Sequence, residues 1–143
     1  MTTKHPSLDR KKDLYLKETK AKGRGVFCRT AIKKGETLEV TPAIILNGKE
    51  TDLMHETILS DYVFSIGKLE KKTLQQHKVT NKEDLSCVVM GITSYCNHDT
   101  HPNAEVSWQE VDGSLYYVLE ATADIAKGTE ICTSYGDSWF DDR

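Results

Sequence analysis

Long apolar segments are absent from this sequence. No run of hydrophobic residues approaches the roughly 18 that a membrane-spanning helix needs. The opening residues, Met-Thr-Thr-Lys-His-Pro, also lack the apolar core of a signal peptide. These two absences argue against contact with a membrane and predict an intracellular protein, cytoplasmic or nuclear. Delivery from a bacterium into a host cell stays open as an alternative.

Cysteine is scarce, and its spacing argues against a structural zinc site. None of the four cysteines belongs to a Cys-x-x-Cys pair: Cys28, Cys87, Cys96 and Cys132. Free thiols in a reducing compartment are therefore expected rather than a disulfide framework. Cys96, His98, Asp99 and His101 are possible ligands, but neighbouring loop residues without a distant partner make a poor zinc site. We expect no metal.

Charge is distributed unevenly along the chain. Residues 1–34 hold 11 lysines or arginines and 3 acidic residues, whereas residues 35–143 hold 8 and 19. An acidic body of this kind attracts a basic partner, and it does not require direct binding to nucleic acid. The alternative is a solvated surface on which the charges are scattered without function. A length of 143 residues with 38% hydrophobic content is typical of one soluble globular domain.

Alternation of apolar and polar residues predicts a mainly β domain of short strands. The Asp112-Gly113 dipeptide predicts a tight hairpin between two of them. Pro42 is expected to interrupt a strand, a short helix is expected over 48–60, and the buried segment 85–92 fits either a helix or a strand. Strands are expected at 13–19, 26–29, from 38 toward Val40, and at 43–46, 61–64, 104–109, 114–121 and 130–134.

The domain organisation expected from these patterns is simple. Residues 1–11 are polar and predicted to be flexible, and residues 12–143 form a single domain. The lysine-rich segment 67–84 is predicted to be an exposed insertion. One short pattern occurs twice, at 31–38 and at 124–131, which we call the echo segments. Both contain Ile-x-Lys-Gly followed by two polar residues and an aliphatic residue. We interpret it as one turn-into-strand unit used twice.

Three short motifs carry the chemically informative side chains. The Gly23-Arg24-Gly25 turn is most often only a tight hairpin, and it lacks the third glycine and strand–helix setting of a dinucleotide site. Asn97-His98 follows an apolar segment; such groups either line a site or fasten loops to each other. Tyr135 follows a predicted strand, where its hydroxyl either reaches a cleft or belongs to a core or rim aromatic.

In this order, the motifs resemble those of the SET domain, the fold of many protein lysine methyltransferases. The resemblance covers roughly residues 13–140 and implies a β-clip-like fold of several small sheets, short helices and a C-terminal pseudoknot. Three segments carry it: Gly23 to Phe27 is similar to the family's cofactor turn, Asn97-His98 with Pro102-Asn103 to its Asn-His-Ser-x-x-Pro-Asn signature, and Glu130-Ile131 through Tyr135-Gly136 to its terminal signature.

The resemblance implies S-adenosylmethionine as cofactor and a lysine-containing protein, such as a histone or another basic protein, as substrate. Tyr135 would be the catalytic residue. The residues expected to bind the cofactor are Arg24, Gly25, Val26, Tyr62, Tyr95, Asn97, His98 and Trp139. Those expected to line the substrate channel are Tyr95, Tyr117, Thr133 and Tyr135. A homodimer is a further expectation, because a partner subunit would complete so small a site.

The sequence also departs from the family pattern. Ser94 and Tyr95 replace its usual Arg and Phe, Asp99 replaces Ser, and Thr133-Ser134 replaces Phe-Asp before the tyrosine. These changes put product specificity in doubt and leave two alternatives, a SET-fold binding module without transfer and a small structural protein. Without cysteine-rich flanking modules, the chain resembles minimal viral and bacterial members. Trp139-Phe140 either covers the adenine or the lysine channel with aromatic surface, or packs on the core.

Overall fold

The computed structural model describes residues 4–134 of the chain. Ten strands, two α-helices and two 3-10 helices lie within this range. In chain order they are β1 (Asp9–Arg10), β2 (Leu14–Thr19), β3 (Gly23–Cys28), β4 (Thr37–Leu46), α1 (Gly48–Met54), a first 3-10 helix (Ile58–Tyr62), β5 (Val63–Ser65), α2 (Lys71–His77), β6 (Ser86–Val89), a second 3-10 helix (Ile92–Tyr95), β7 (Asn97–His98), β8 (Ala104–Val111), β9 (Ser114–Ala121) and β10 (Glu130–Thr133).

The strands form two sheets that share one hydrophobic core. The larger sheet has the order β5-β6-β4-β9-β8, with β1 added alongside β4, and the smaller has the order β2-β3-β10-β7. Apolar side chains from both sheets, including Val26, Leu38, Leu119 and Ile131, are fully buried in a single cluster. The prediction of a mainly β domain with short helices is confirmed. The expected pseudoknot depends on residues after Ser134, which lie outside the described range.

The most regular pairings follow from local sequence. Val111 and Ser114 close the β8–β9 hairpin, and Asp112 and Gly113 both adopt positive φ, as a two-residue turn of this kind requires. This hairpin was predicted. The two echo segments also meet, because Ile32 and Ile125 exchange backbone hydrogen bonds at 2.8 Å in each direction.

Pro42 does not interrupt a strand, and that expectation is wrong. Strand β4 runs through it, with Pro42 opposite Tyr116 of β9. The Pro42 carbonyl accepts a hydrogen bond from the Met90 N–H at 3.2 Å, just past the end of β6. A strand residue directs its nitrogen and its carbonyl to the same edge. The missing N–H of Pro42 therefore faces the point where β6 has ended. Few hydrogen bonds between β4 and β6 are lost as a result.

The region after β4 contains two short helices where one was predicted. A capping box begins α1, since Asn47 Oδ1 accepts from Glu50 N–H and Glu50 Oε1 accepts from Asn47 N–H. The helix ends at Met54, before residue 60, and Thr57 caps the first 3-10 helix, which follows it. Strand β5 follows, shifted toward the C-terminus from the predicted 61–64. The 85–92 segment contains strand β6 rather than a helix.

Segments expected to be flexible or exposed contribute regular structure. Asp9 and Arg10 of the N-terminal stretch pair with β4. Within 67–84, most side chains are exposed, but α2 buries Thr73, and Leu69 and Val79 join the hydrophobic core on either side of it. A hydrogen bond of 2.8 Å between the His77 ring and the Gly113 carbonyl fastens α2 to the β8–β9 turn.

Candidate functional site

A cavity of about 480 Å³ opens beside the N-terminal end of β3. Its other walls come from the first 3-10 helix, β5, and the continuous segment from the second 3-10 helix into β7. The volume lies within the range of about 300–1,000 Å³ that is usual for small-molecule sites. Five of the predicted cofactor residues lie in this wall: Arg24, Tyr62, Tyr95, Asn97 and His98. The fold thus brings together residues that are up to 74 positions apart.

Strand β7 holds Asn97 and His98 beside the terminal strand. It pairs in parallel with β10, with Asn97 opposite Cys132 and His98 opposite Thr133. The Asn97 side chain donates a hydrogen bond from Nδ2 to the Glu130 carboxylate at 2.6 Å. The same nitrogen lies 3.4 Å from the Arg24 carbonyl oxygen. Asn97 therefore connects β7 with both β10 and β3.

Gly25 is buried where these side chains converge. A Cβ at this position would lie 2.3 Å from Glu130 Oε2 and 2.9 Å from Asn97 Nδ2, closer than real contacts allow. Only glycine therefore leaves the Asn97–Glu130 contact undisturbed. The next residue, Val26, has its side chain fully buried in the core. Neither Gly25 nor Val26 is among the residues described in the cavity wall, and their direct contact with a cofactor stays a prediction.

An arginine and two tyrosines form an aromatic corner of the cavity. The Arg24 guanidinium carbon lies 4.6 Å from the Tyr95 ring centroid, and its Nη2 donates to the Tyr95 hydroxyl at 3.3 Å. Tyr62 packs edge-on against Tyr95 with ring centroids 5.3 Å apart. The cationic stack holds the Tyr95 ring at the cavity wall.

A second cation lies next to this corner. Lys22 Nζ donates to the His98 carbonyl at 3.2 Å and lies 3.9 Å from the Asp99 carboxylate. A hydrogen bond from the His101 N–H, followed by the attraction of Lys22, lowers the pKa of Asp99 from its ordinary value. Lys22 therefore ties the β2–β3 turn to β7 and brings an ammonium group, paired with Asp99, to this side of the cavity.

Two predicted channel residues lie in the interior of the fold. Tyr117 is fully buried, with its hydroxyl 3.5 Å from the Thr93 carbonyl oxygen, and burial raises the pKa of that hydroxyl. Thr133 is also buried, and its carbonyl accepts from Asp99 N–H at 2.9 Å. Only Tyr95 of the described channel residues reaches the cavity wall. Tyr135 and Trp139 lie outside the described residues, so the channel stays a prediction.

Several residues of the cavity wall were not among the sequence predictions. They add hydroxyl, carboxylate and ammonium groups to the site: Lys22, Ser60, Asp61, Ser65 and Ser94. Two of them have a sequence signal, since Lys22 immediately precedes the glycine turn and Asp61 precedes Tyr62. The serines have no such sequence signal, because an isolated serine near the end of a strand is common in any loop.

Metal and membrane features complete the description. Across residues 4–134, no group of three or more His, Cys, Asp or Glu side chains is arranged to hold a metal ion. The cysteines are free thiols, and burial raises the pKa of Cys87 to about 12 and that of Cys132 to about 11. Neither described α-helix has the length and apolar character needed to cross a membrane.

Comparisons with known proteins agree with this architecture. The chain is 30% identical over 134 residues to a histone-lysine N-methyltransferase of Schizosaccharomyces pombe described as specific for H3 lysine 37; the match covers 91% of this chain and 78% of that protein. A solved structure of a candidate histone methyltransferase of Plasmodium falciparum is 27% identical, with a TM-score of 0.61, and the match covers 91% of this chain and 98% of that one.

A third comparison supports the fold alone. A chain of the ctPRC2 complex, solved in an autoinhibited conformation bound to S-adenosylmethionine, is 19% identical with a TM-score of 0.65; the match covers 87% of this chain and 15% of that chain. The family described as the SET domain matches residues 23–136, the greater part of the sequence. The chain therefore belongs to the SET-domain family and is homologous to histone-lysine methyltransferases.

Proposed function

We propose that this protein transfers a methyl group from S-adenosylmethionine to the side chain of a lysine in a protein substrate. The observation that carries the proposal is the single cavity in which Arg24, Tyr62, Tyr95, Asn97 and His98 meet. Membership of the SET-domain family and homology to histone-lysine methyltransferases support lysine methylation in general. The use of this cofactor and the nature of the substrate are the proposed steps beyond that.

The residues present in the cavity fit the proposed cofactor. S-adenosylmethionine carries a carboxylate, an aromatic base and a ribose with hydroxyl groups. Lys22 and Arg24 supply cations for a carboxylate, and Tyr95 supplies an aromatic face. Asn97 and His98 would hold the cofactor through amide and backbone groups. Asp61, also in the wall, offers acceptor oxygens for hydroxyl groups.

The bound cofactor supplies a methyl group attached to a positively charged sulfur. The lysine amine must be neutral to attack this methyl, although its ordinary pKa is about 10.4. An apolar channel and a neighbouring positive charge both lower that pKa. A carbon–nitrogen bond forms as the carbon–sulfur bond breaks, and the amine's proton passes to water before attack. Tyr135 would position the reacting groups in line, where alignment contributes most of the rate.

A basic protein segment is the proposed substrate. Residues 35–143 hold 19 acidic residues against 8 lysines or arginines, and opposite charge accelerates association with a lysine-rich partner. A histone tail has this character, as do other lysine-rich segments. A SET-fold binding module that holds such a segment without methylating it is the rival function, and the departures at Ser94 and Thr133 motivate it.

Titration calorimetry with S-adenosylhomocysteine and S-adenosylmethionine tests the cofactor. We expect saturable binding that Asn97→Ala abolishes. Asn81→Ala is the matched control, because Asn81 also uses a side-chain amide to fasten backbone, at Leu69, but lies outside this cavity wall. A folded protein that binds neither ligand would contradict the proposal.

Transfer is tested separately from binding. Mass spectrometry of core histones incubated with the protein and S-adenosylmethionine should detect a gain of methyl groups on lysine. Tyr135→Phe should lower that rate while leaving cofactor affinity unchanged. Cofactor and histone binding without any methyl gain, in several lysine-rich substrates, would favour the binding module instead.

A further inference from the structure

A buried carboxylate lies behind the cavity. Glu39 on β4 is only 3% exposed. Its oxygens accept hydrogen bonds from the Thr93 N–H at 3.0 Å and the Ile92 N–H at 3.3 Å, and also from the Thr93 hydroxyl. Across residues 4–134 no lysine, arginine or histidine forms an ion pair with it. The Glu39 carboxyl group is therefore held by donors at the start of the second 3-10 helix.

The surroundings of this carboxylate leave little room for another arrangement. A Cβ on Gly91 would lie 2.5 Å from Glu39 Oε1 and 2.6 Å from its carboxyl carbon. The chain therefore passes directly against the carboxylate, as only a glycine permits. Burial of an ionised group is strongly unfavourable unless its hydrogen bonds are complete. Such a group fixes the backbone that supplies its donors.

The backbone fixed by Glu39 continues directly into the cavity wall. Cys96 N–H donates to the Thr93 carbonyl at 3.1 Å, and the Tyr117 hydroxyl reaches the same carbonyl from the core. Ser94, the next residue, begins the run of five consecutive wall residues that ends at His98. One short turn therefore connects the buried Glu39 carboxyl group to the residues that would contact a cofactor.

We propose that Glu39 is a positioning residue for the cofactor site. It acts through Thr93 and the second 3-10 helix, and it holds Tyr95 and Asn97 at the distances from which they contact the ligand. The inference rests on the proposed function, because it assigns Glu39 a role in cofactor affinity. It predicts that loss of this carboxylate weakens binding in molecules that remain folded, beyond any effect on stability.

The test compares Glu39→Gln with Glu36→Gln. Both substitutions remove a carboxylate near the same strand, but Glu36 pairs with Lys11 on the surface and touches no cavity residue. Calorimetry with S-adenosylhomocysteine should give affinity reduced by about tenfold or more for Glu39→Gln, as expected when a charged acceptor is lost. Glu36→Gln should bind as the wild type does. Glu39→Ala should bind more weakly than Glu39→Gln, which retains one acceptor oxygen.

A second pair of variants tests the same inference if the Glu39 variants do not fold. Thr93→Val removes only the hydroxyl donor to Glu39, and Thr41→Val removes another buried hydroxyl, which donates to the Met90 carbonyl at 3.0 Å. Only Thr93→Val should weaken S-adenosylhomocysteine binding, by several-fold. Hydrogen exchange over residues 91–98 should accelerate in Thr93→Val relative to the rest of the chain.

The outcomes separate the two proposals. If the wild type binds S-adenosylhomocysteine and folded Glu39→Gln or Thr93→Val binds equally well, Glu39 is a structural anchor only and the inference fails. If the folded wild type binds no ligand, the proposed function itself fails, and the cofactor role of Glu39 fails with it. If folded Glu39→Gln and Thr93→Val bind S-adenosylhomocysteine more weakly while Glu36→Gln and Thr41→Val bind it as the wild type does, both proposals are supported.

Discussion

The Asn97 amide nitrogen lies 2.6 Å from the Glu130 carboxylate, across the parallel pair of β7 and β10. A carboxylate accepts hydrogen bonds and cannot donate them, so it determines which end of the Asn97 amide faces it. The Asn97 oxygen is consequently the end left for other partners. Glu130 thus orients a residue that would contact the cofactor through the group it presents.

Glu130→Gln should weaken the hold of Glu130 on the orientation of the Asn97 amide. A glutamine side chain can donate as well as accept, so the Asn97 amide is no longer held in one orientation. We expect a several-fold loss of S-adenosylhomocysteine affinity and a loss of about 1 kcal/mol in the free energy of unfolding. Calorimetry and urea denaturation measure the two. Glu120→Gln, at an exposed position of β9, should change neither, and an equal effect there would refute the assignment.

Gly25→Ala tests the close approach on the other side of the same contact. The new Cβ would lie 2.3 Å from Glu130 Oε2, so the Glu130 side chain must move and the Asn97–Glu130 hydrogen bond must lengthen. Because the clashing atoms are the ends of side chains, the cost is mainly that of the weakened hydrogen bond, about 1 kcal/mol of stability. We expect the cofactor affinity to fall as well, since Asn97 is displaced.

Gly67→Ala is the matched control for that substitution. Nothing lies within 4 Å of its added Cβ, and its φ is not in the left-handed region. Its stability should stay within about 0.5 kcal/mol of the wild type. If thermal and urea denaturation give the two variants equal stability, the packing argument at Gly25 is wrong.

Two arginines distinguish a cavity role from a general stacking effect. Arg24 stacks on Tyr95 at the cavity, and Arg29 stacks on Tyr15 at 4.2 Å elsewhere. Each alanine variant should lose a similar amount of stability, about 0.5–1 kcal/mol, because in both stacks the arginine is exposed and the tyrosine is half-buried. Only Arg24→Ala should weaken S-adenosylhomocysteine binding. Equal affinities in calorimetry would remove Arg24 from the cofactor site.

Features governed by local sequence were the ones that could be predicted. Asp112-Gly113 specifies its turn because both positions need positive φ. The turns of the two echo segments follow from the same local rule, as Gly35 and Gly128 have φ of 92° and 83°, whereas the pairing of Ile32 with Ile125 was not predicted. The motif residues Arg24 and Asn97 could be grouped in one site only through the family resemblance, because no local rule brings them together.

Features that depend on tertiary neighbours could not be predicted. Pro42 is tolerated because β6 ends beside it, and a single sequence does not reveal where a neighbouring strand ends. Tyr117 was assigned to a channel, and its place there stays a prediction; its packing against Phe64 and Trp108, with ring centroids 5.5 and 5.4 Å away, is visible only in the structure. Glu39 looks like any polar strand residue in the sequence, and its importance is visible only once Thr93 lies against it.

The buried thiol of Cys87 predicts how stability responds to alkaline pH. Burial raises its pKa to about 12 in the folded protein, whereas an unfolded thiol ionises near about 8.5. Above that lower value the unfolded state loses the proton and the folded state keeps it. The free energy of unfolding must therefore fall as pH rises, by up to about 1.4 kcal/mol per pH unit for this thiol.

Urea denaturation of the wild type and Cys87→Ala at pH 8, 9 and 10 measures this contribution. The variant should be less stable at pH 8, because it leaves a small void in the core. Its stability should then fall less steeply than that of the wild type as pH rises. Other groups that titrate in this range, including Cys132 and Tyr117, are common to both proteins and cancel in the comparison. Parallel slopes would mean that the folded Cys87 thiol ionises as readily as an exposed one, and thus that water reaches this part of the core.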